Sequence, residues 1–267
     1  MKTVIQRSCG HCLRGCLAPL PTQHDPEGLW QHLYVFLVAN KNMGSALKIG
    51  TVLLAAGSAS RMGHRPKCLL ELEGEPLIRR QLRALLDAGV DEVVVVLGHY
   101  ADRIEAVIPD FSVKRIRNRD PDAGQISSLR FGLQSLTAPV DSVIVALADQ
   151  PLISAQEIFD LIDAYKNRPN GSHFVQPHVA GLPGNPVMFG SKVRDDILAS
   201  GPDVGGRQWQ STHPNQVYRW ASPNHRYRTD VDTQEDIDLL FTQTGLQLKW
   251  PELKGSETDR GTSQRHP

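Results

Sequence analysis

The segment Leu54-Ala-Ala-Gly-Ser-Ala-Ser-Arg-Met-Gly-His-Arg-Pro-Lys67 directly continues the short apolar run Thr51–Leu54. Such a run is typical of a buried strand that enters a tight loop. The small residues at 55–57 let the backbone approach a phosphate closely, and successive amide groups can form an anion-binding nest. Arg61 and Lys67 add positive charge at the same place. The segment therefore predicts a loop that binds a nucleoside triphosphate.

Two common phosphate-binding loops do not fit this segment. The dinucleotide fingerprint G-x-G-x-x-G needs glycine where Ala59 stands, which argues against a nicotinamide-dependent oxidoreductase. A P-loop needs four residues between its glycines, whereas five separate Gly57 from Gly63, and Lys67 comes four residues after Gly63. The remaining alternative is an ordinary glycine-containing turn between a strand and a helix.

The chain downstream of this loop alternates strand-like and helix-like segments. The predicted strands are Glu92–Leu97, Val113–Ile116 and Ser142–Leu147. The predicted helices begin near Pro76, at Ala101, after Ser127-Ser128, at Ile158 behind a Ser154/Glu157 capping box, and at Thr233. This alternation predicts an α/β fold with a mostly parallel sheet and helices on both faces.

An aspartate follows the apolar strand Ser142–Leu147, in the sequence Leu147-Ala-Asp-Gln-Pro151. Asp149 would lie at the carboxyl end of its strand, where open α/β sheets bind ligands. Mg²⁺ prefers oxygen ligands and usually takes one or two carboxylates together with substrate phosphates, so Asp149 is a candidate metal ligand. The alternative is that Asp149 only caps the turn before Pro151.

A second acidic motif reads Thr229-Asp-Val-Asp-Thr-Gln-Glu-Asp236. Asp230 and Asp232 alternate on a short extended segment, so both would project to one side. Asp232 is the candidate second metal ligand. The alternative is a pair of solvated turn carboxylates followed by the cap of a helix that starts at Thr233.

The loop Leu54-Ala-Ala-Gly57, with Arg61-Met-Gly63 and Lys67, resembles the signature loop of the MobA-like nucleotidyltransferases, and most of all the molybdenum cofactor cytidylyltransferases. The resemblance covers roughly residues 50–245. It implies a Rossmann-like three-layer sandwich, the MobA-like nucleotide-diphospho-sugar transferase fold, with the lysine on the phosphates and the metal on Asp149 and Asp232. Guanylyltransferase relatives carry glycine at the position of Ala56, which favours CTP here.

Three further segments are expected to shape the acceptor side. Gly124–Arg130 places Ser127 and Ser128 at a helix start, which is a ready anion site. Gly181–Val187 resembles the family's Gly-x-x-Gly-His/Asn-Pro-Val segment, with Asn185 at the variable position. The segment 201–207 resembles Gly-Asp-x-Gly-Ala-Arg but inserts Pro202 and replaces the alanine with Gly206, which leaves the acceptor open.

These motifs define a set of expected site residues. The expected catalytic residues are Lys67, Arg61 and Asp149; the expected metal ligands, for Mg²⁺, are Asp149 and Asp232; the expected nucleotide- and acceptor-binding residues are Leu54, Ala55, Ala56, Gly57, Arg61, Gly63, Lys67, Gly98, Ser128 and Asn185.

The resemblance implies a transferase that moves CMP from CTP onto the phosphate of molybdopterin, with a molybdenum hydroxylase receiving the product. The alternatives are another phosphorylated acceptor, such as a sugar phosphate or a cobinamide phosphate, and a non-catalytic carrier of nucleotide or cofactor.

Composition limits the other classes of function. Lys plus Arg and Asp plus Glu both count 29 in 267 residues, which argues against a broad basic surface for nucleic acid. There is no recognisable secretory signal, and the longest apolar stretch near the start, Leu33–Ala39, is far shorter than the roughly 20 residues that span a bilayer. We therefore expect a cytoplasmic protein with no membrane partner.

The ends of the chain differ from its middle. We expect residues 1–48 to be an N-terminal extension that is disordered or an incorrectly assigned start, 49–247 to be the transferase domain, and 248–267 to be a disordered tail. Three of the four cysteines, at 9, 12 and 16, fall in the extension. Cys9-Gly-His-Cys12 has the form of a redox motif, but it lacks the strand and helix that such motifs lie between.

Overall fold

The computed structural model of the protein describes residues 47–251, and its elements are numbered here in chain order. The strands are β1 (Ile49–Ala55), β2 (Glu71–Leu72), β3 (Glu75–Pro76), β4 (Glu92–Leu97), β5 (Lys114–Arg117), β6 (Ser142–Leu147), β7 (Phe174–Val179), β8 (Leu182–Pro183), β9 (Val187–Gly190), β10 (Val217–Ala221) and β11 (Leu248–Lys249). The α-helices are α1 (Leu77–Asp87), α2 (Ala101–Glu105), α3 (Gly124–Ser135), α4 (Ala155–Lys166), α5 (Ser191–Ala199), α6 (Gly206–Thr212) and α7 (Gln234–Thr244).

The main sheet has eight strands, in the order β10-β7-β9-β6-β1-β4-β5, with β8 paired to β7. Strand β1 lies between β4 and β6 and is parallel to both, and β5 extends the parallel part beyond β4. Strand β9 is antiparallel to β6 and β7, while β10 is parallel to β7. The carboxyl ends of β1, β4 and β6 therefore meet at one edge, where their loops form a site.

Strand β4 shows why helices cover both faces of the sheet. Val93, Val95 and Leu97 are buried in a cluster with side chains of α1, α2 and α4. Val94 and Val96 are buried in the opposite cluster with side chains of α3, α5 and α6. Alternate residues of a strand point to opposite faces, so an all-apolar strand needs a cover on both. The predicted three-layer α/β fold with a mostly parallel sheet is confirmed.

A third apolar cluster lies apart from these two. It comprises Met62, Leu70, Leu72, Leu77, Val231, Ile237, Leu240 and Leu248. Met62 belongs to the glycine-rich loop and Val231 lies between the two aspartates of the second acidic motif. The cluster therefore gives both chemical motifs a common apolar support.

Three sequence-based boundaries need correction. Helix α3 begins at Gly124, directly after a 3-10 turn at Pro121–Ala123, so Ser127 and Ser128 lie inside the helix rather than before it. Strand β5 is shifted by one residue from Val113–Ile116. Residues 248–249 form β11, which pairs with β2 and buries Leu248, so the folded part extends beyond the predicted end at 247.

Both predicted capping boxes are present, although the helix behind Ser154 begins three residues before the predicted Ile158. Ser154 and Glu157 cap α4, which begins at Ala155, and Thr233 and Asp236 cap α7. The expectations for residues 1–46 and 252–267, including Cys9, Cys12 and Cys16, lie outside the described residues. Between residues 47 and 251, no helix has the length and apolar character needed to cross a membrane.

Candidate active site

The glycine-rich loop is held in a compact shape by its own backbone. The amides of Met62 and His64 both donate to the carbonyl of Ala59 at 3.0 Å. Ala59, Gly63 and His64 all have positive φ, of 51°, 62° and 58°. The hydroxyl of Tyr100 donates to the carbonyl of Ser58 at 2.9 Å, which ties the loop to the segment after β4.

Gly98, at the end of β4, touches the loop where β1 ends. A Cβ atom at Gly98 would lie 2.5 Å from the carbonyl oxygen of Ala56 and 2.9 Å from its Cα. Real Cβ atoms do not come that close to backbone. Gly98 therefore acts by letting two loops approach each other, and it does not line the cleft described below.

The three predicted ionic residues meet at one point. The ammonium Nζ of Lys67 lies 2.8 Å from Oδ2 of Asp149 and also contacts Oδ1 of Asp232. Their side chains are 17%, 22% and 44% exposed, so the group is largely shielded from water but open on the side of Asp232. Residues separated by more than 160 positions in the sequence thus form one ionic cluster.

The pKa is raised for Lys67 and for the neighbouring Asp230 carboxyl. Burial of the ammonium would by itself lower the pKa of Lys67, but the nearby Asp149 and Asp232 outweigh it, so the pKa is raised and the lysine is charged. Burial raises the pKa of the Asp230 carboxyl, and the charges of Asp232 and Asp149 raise it further. Ionisation of Asp230 beside the carboxylates of Asp149 and Asp232 is thus unfavourable.

Asp149 is positioned by the backbone around it. The amide of Ala148 donates to the carbonyl of Leu54 at 3.1 Å, and the amide of Val231 donates to the carbonyl of Asp149 at 3.2 Å. The buried Gln150 donates through its side-chain amide to the carbonyls of Asn185 and Tyr227, at 3.2 and 3.3 Å. The aspartate is thereby joined to the loop, the second acidic motif and the acceptor segment.

A cleft of about 630 Å³ opens over this cluster. The predicted residues that line it are Leu54, Ala55, Ala56, Gly57, Lys67, Ser128, Asp149 and Asp232. Arg61 lies outside the lining, with its guanidinium 3.8 Å from Oδ2 of Asp232 and its side chain 74% exposed. Gly63 ends the 3-10 turn that carries Arg61.

A second cleft of about 480 Å³ adjoins the first, and the two share Leu54, Gln125, Leu147 and Arg207. Asn185 lines only the second cleft, where Leu54 is the one other predicted binding residue. The second cleft is otherwise lined by apolar and amide side chains, including Phe174, Val187, Gln176, Gln208 and Gln210. Arg207 stands where the two clefts meet.

Several lining residues of the first cleft were not predicted, among them His99, Asp122 and Gln125. Nε2 of His99 lies 3.3 Å from Oδ1 of Asp122, and this pair forms part of the wall of the first cleft. Asn118 orders this wall by donating to the hydroxyls of Ser127 and Ser128, each at 3.1 Å. His99 and Asp122 had no sequence signal beyond their positions after β4 and β5, whereas Gln125 lies in the segment Gly124–Arg130, where only Ser127 and Ser128 were named.

The donor set suits a divalent cation. Oδ1 of Asp149 is buried and has no hydrogen-bond partner among the described residues, and both Asp149 and Asp232 already contact one cation, the Lys67 ammonium. Within residues 47–251 no cluster of three or more His, Cys, Asp or Glu side chains has metal-binding geometry. Two carboxylates with substrate phosphates are an ordinary set for Mg²⁺, and the pair fits that pattern.

Comparison with known proteins agrees with this fold. The model of the MobA-like NTP transferase domain matches residues 51–217, from β1 to the start of β10. The chain belongs to this family.

Two curated relatives illustrate the range of the family. The bifunctional protein GlmU of Acetivibrio thermocellus is 29% identical over 144 residues, which cover 54% of this chain and 30% of GlmU. The chain thus spans about a third of the length of that relative. The nicotine blue oxidoreductase of Paenarthrobacter nicotinovorans is 28% identical over 195 residues, covering 71% of this chain and 95% of the relative.

Solved structures show the same fold. The crystal structure of Rv0371c from Mycobacterium tuberculosis superposes with a TM-score of 0.63 at 24% identity, covering 74% of this chain and 100% of Rv0371c. A second structure of Rv0371c, in complex with manganese, has a TM-score of 0.57 at 22% identity and covers 73% of this chain and 98% of that chain.

Proposed function

We propose that this protein is a divalent-metal-dependent nucleotidyltransferase that moves CMP from CTP onto the phosphate of molybdopterin and releases pyrophosphate. The observation that carries the proposal is the meeting of Lys67, Asp149 and Asp232 at the floor of the first cleft. Each comes from a different motif, and the fold brings all three beside the glycine-rich loop. Membership of the MobA-like NTP transferase family supports the same class of reaction.

The reaction needs positioning and charge neutralisation rather than a protein nucleophile. An oxygen of the acceptor phosphate attacks the α-phosphorus of the nucleotide in line. The new oxygen–phosphorus bond forms as the bond to the bridging oxygen breaks, and pyrophosphate leaves with that electron pair. Lys67 and Arg61 offset the negative charge that builds on the leaving group.

Asp149 and Asp232 would hold the divalent cation, Mg²⁺ in our proposal, which would neutralise phosphate charge when bound. A related fold has been crystallised with manganese, which supports a divalent ion in general. The hydrogen bonds of the backbone around Asp149 hold its main chain in place at the end of β6, which supports its role as a metal ligand.

The second cleft is proposed to receive the acceptor. It joins the first cleft at Arg207, which can meet an acceptor phosphate near the transferred phosphorus. Its apolar walls and amide side chains suit a heterocycle with many hydrogen-bonding groups, such as molybdopterin. A molybdenum hydroxylase would then receive the dinucleotide product. CTP is proposed because Ala56 stands where guanylyltransferase relatives carry glycine.

The test is release of pyrophosphate by the purified chain with Mg²⁺, comparing CTP, GTP, ATP and UTP, each with and without molybdenum-loaded molybdopterin. Release with CTP only when the acceptor is present is the expected result. Release with another nucleotide, or with a sugar phosphate or cobinamide phosphate, would retain the transferase chemistry and change its specificity. Nucleotide binding without any release would favour a carrier.

Asp149→Asn is the variant that probes the chemistry. We expect the rate of pyrophosphate release to fall at least about a hundredfold, because one ligand of the proposed metal loses its charge. Asp163→Asn is the matched control, since Asp163 lines neither cleft and its side chain pairs only with Asn167 among the described residues. A near-normal rate in Asp149→Asn would contradict the assignment.

A second candidate function is oxidoreduction. It is suggested by the similarity of the chain to the nicotine blue oxidoreductase of Paenarthrobacter nicotinovorans, which the match covers to 95%. Thermal protection separates the two candidates. Protection by NADH or NADPH, without protection by CTP and Mg²⁺, would favour the oxidoreductase.

A further inference from the structure

Lys67 occupies the space between the two carboxylates that the proposed function gives to a divalent cation. Its ammonium contacts Oδ2 of Asp149 at 2.8 Å and Oδ1 of Asp232. No other cationic side chain within residues 47–251 contacts both aspartates. In the chain without ligands, the lysine therefore takes the place of the ion.

A metal ion that bridges the facing oxygens, Oδ2 of Asp149 and Oδ1 of Asp232, cannot share the space between them with the Lys67 ammonium. Mg²⁺ binds its oxygen ligands at about 2.0–2.1 Å, which leaves no room for a hydrogen bond from Lys67 to the same lone pairs. Two cations side by side in a shielded site also repel each other strongly. Entry of the metal therefore requires that the ammonium moves away.

The backbone near Lys67 is fixed, whereas its side chain has somewhere to go. The amides of Leu69 and Leu70 donate to the carbonyls of Pro66 and Lys67, both at 2.9 Å, which sets the 3-10 turn. Pro66 and Lys67 both line the first cleft. The flexible four-carbon stem can swing the ammonium toward phosphates in the cleft without any movement of the turn.

We propose that Lys67 blocks the metal site of the nucleotide-free chain, so that the divalent cation binds well only after the triphosphate has drawn the ammonium away. This inference rests on the proposed function, since it takes Asp149 and Asp232 as the metal ligands. It gives Lys67 a second role beside phosphate binding, and it sets an order in which nucleotide precedes or accompanies metal.

The test is a titration of the full chain with Mn²⁺ in the absence of nucleotide, followed by electron paramagnetic resonance of the free ion. Lys67→Met should bind Mn²⁺ at least about tenfold more tightly than the unmodified chain. Lys67→Ala is measured beside it, in case the first variant does not fold. The double variant Lys67→Met/Asp149→Asn should lose the gain.

Arg61→Met is the matched control for a plain charge effect. It removes one positive charge 3.8 Å from Asp232 but leaves the space between the carboxylates filled by Lys67. We expect a much smaller gain in Mn²⁺ affinity than in Lys67→Met. Equal gains would overturn the inference, because the effect would then come from charge and not from displacement.

The remaining outcomes separate this inference from the proposed function. Unchanged Mn²⁺ affinity in folded Lys67→Met and Lys67→Ala, together with normal pyrophosphate release by the unmodified chain, would overturn the inference alone. Tighter Mn²⁺ binding by both variants, with no release by the unmodified chain from any nucleotide, would support the blocked site while the proposed function fails.

Discussion

Gly98 shows how a single missing side chain shapes the site. In Gly98→Ala the new Cβ would lie 2.5 Å from the carbonyl oxygen of Ala56, so the glycine-rich loop must shift. We expect the free energy of unfolding to fall by about 1–3 kcal/mol, the usual cost of overpacking, and CTP affinity to fall with it. Urea unfolding and calorimetric titration with CTP measure the two effects.

Gly57→Ala is the control for that substitution. A Cβ at Gly57 would meet nothing within 4 Å, so stability should not change. Equal loss of stability in the two variants would show that the contact with Ala56 is not the cause.

Cys68 follows Lys67 but is not available for chemistry. It is 6% exposed, and burial together with the charge of Asp149 raises the pKa of its thiol to about 12. At pH 8 the thiolate is therefore rare in the folded chain, and iodoacetamide should modify Cys68 at least about a hundredfold more slowly than in urea. Mass spectrometry of the peptide that contains Cys68 measures the rate, and equal rates would contradict the burial.

At this scale the sequence indicates the ionic residues but not their neighbours. Lys67 and Asp149 stand in short motifs whose residue types already specify phosphate and metal chemistry. His99, Asp122 and Gln125 carry no such motif, because the packing of separate loops after β4 and β5 brings them to the cleft. Asn185, in a segment expected on the acceptor side, lines the second cleft.

Among the secondary-structure elements, the small sheet β11-β2-β3 was not predicted. Its strands have two residues each, too few for a hydrophobic period, and their pairing joins residues 71–72 to residues 248–249. The long apolar strands β4 and β6 were predicted with their bounds, because a run buried on both faces is unmistakable in a sequence.

Strand β11 gives a test of the domain boundary. A chain that ends at residue 247 lacks Leu248, which is 5% exposed in the third apolar cluster, and Trp250, whose ring lies under Arg65 at 3.9 Å. We expect its free energy of unfolding to be about 2–5 kcal/mol lower than that of a chain that ends at residue 251. Equal stability in urea would show that β11 contributes nothing and would restore the earlier boundary.

For the whole molecule, ligand binding should appear as a coupled rise in stability. The first cleft joins parts of the chain from Leu54 to Asp232, so a ligand that bridges them opposes global unfolding. CTP and Mg²⁺ together, at about a hundred times their dissociation constant, should raise the free energy of unfolding by about 2.7 kcal/mol. Because we propose that the Lys67 ammonium occupies the metal site, Mg²⁺ alone should raise the free energy of unfolding much less.

Thermal unfolding with each ligand alone and with both measures this coupling. Asp149→Asn should lose the part that depends on Mg²⁺, whereas Asp163→Asn should keep it. Full stabilisation by Mg²⁺ alone would contradict the proposal that nucleotide binds before the metal or together with it.

The third apolar cluster has a consequence for how the protein is made. Met62 of the glycine-rich loop packs with Val231, Ile237, Leu240 and Leu248, all of which leave the ribosome long after it. A growing chain that has completed β1, β4 and β6 still lacks the support beneath its loop and lacks Asp232 as well. The nascent protein should therefore complete the apolar support of this loop only after residue 248 has left the ribosome, so the site that we propose should form late in synthesis.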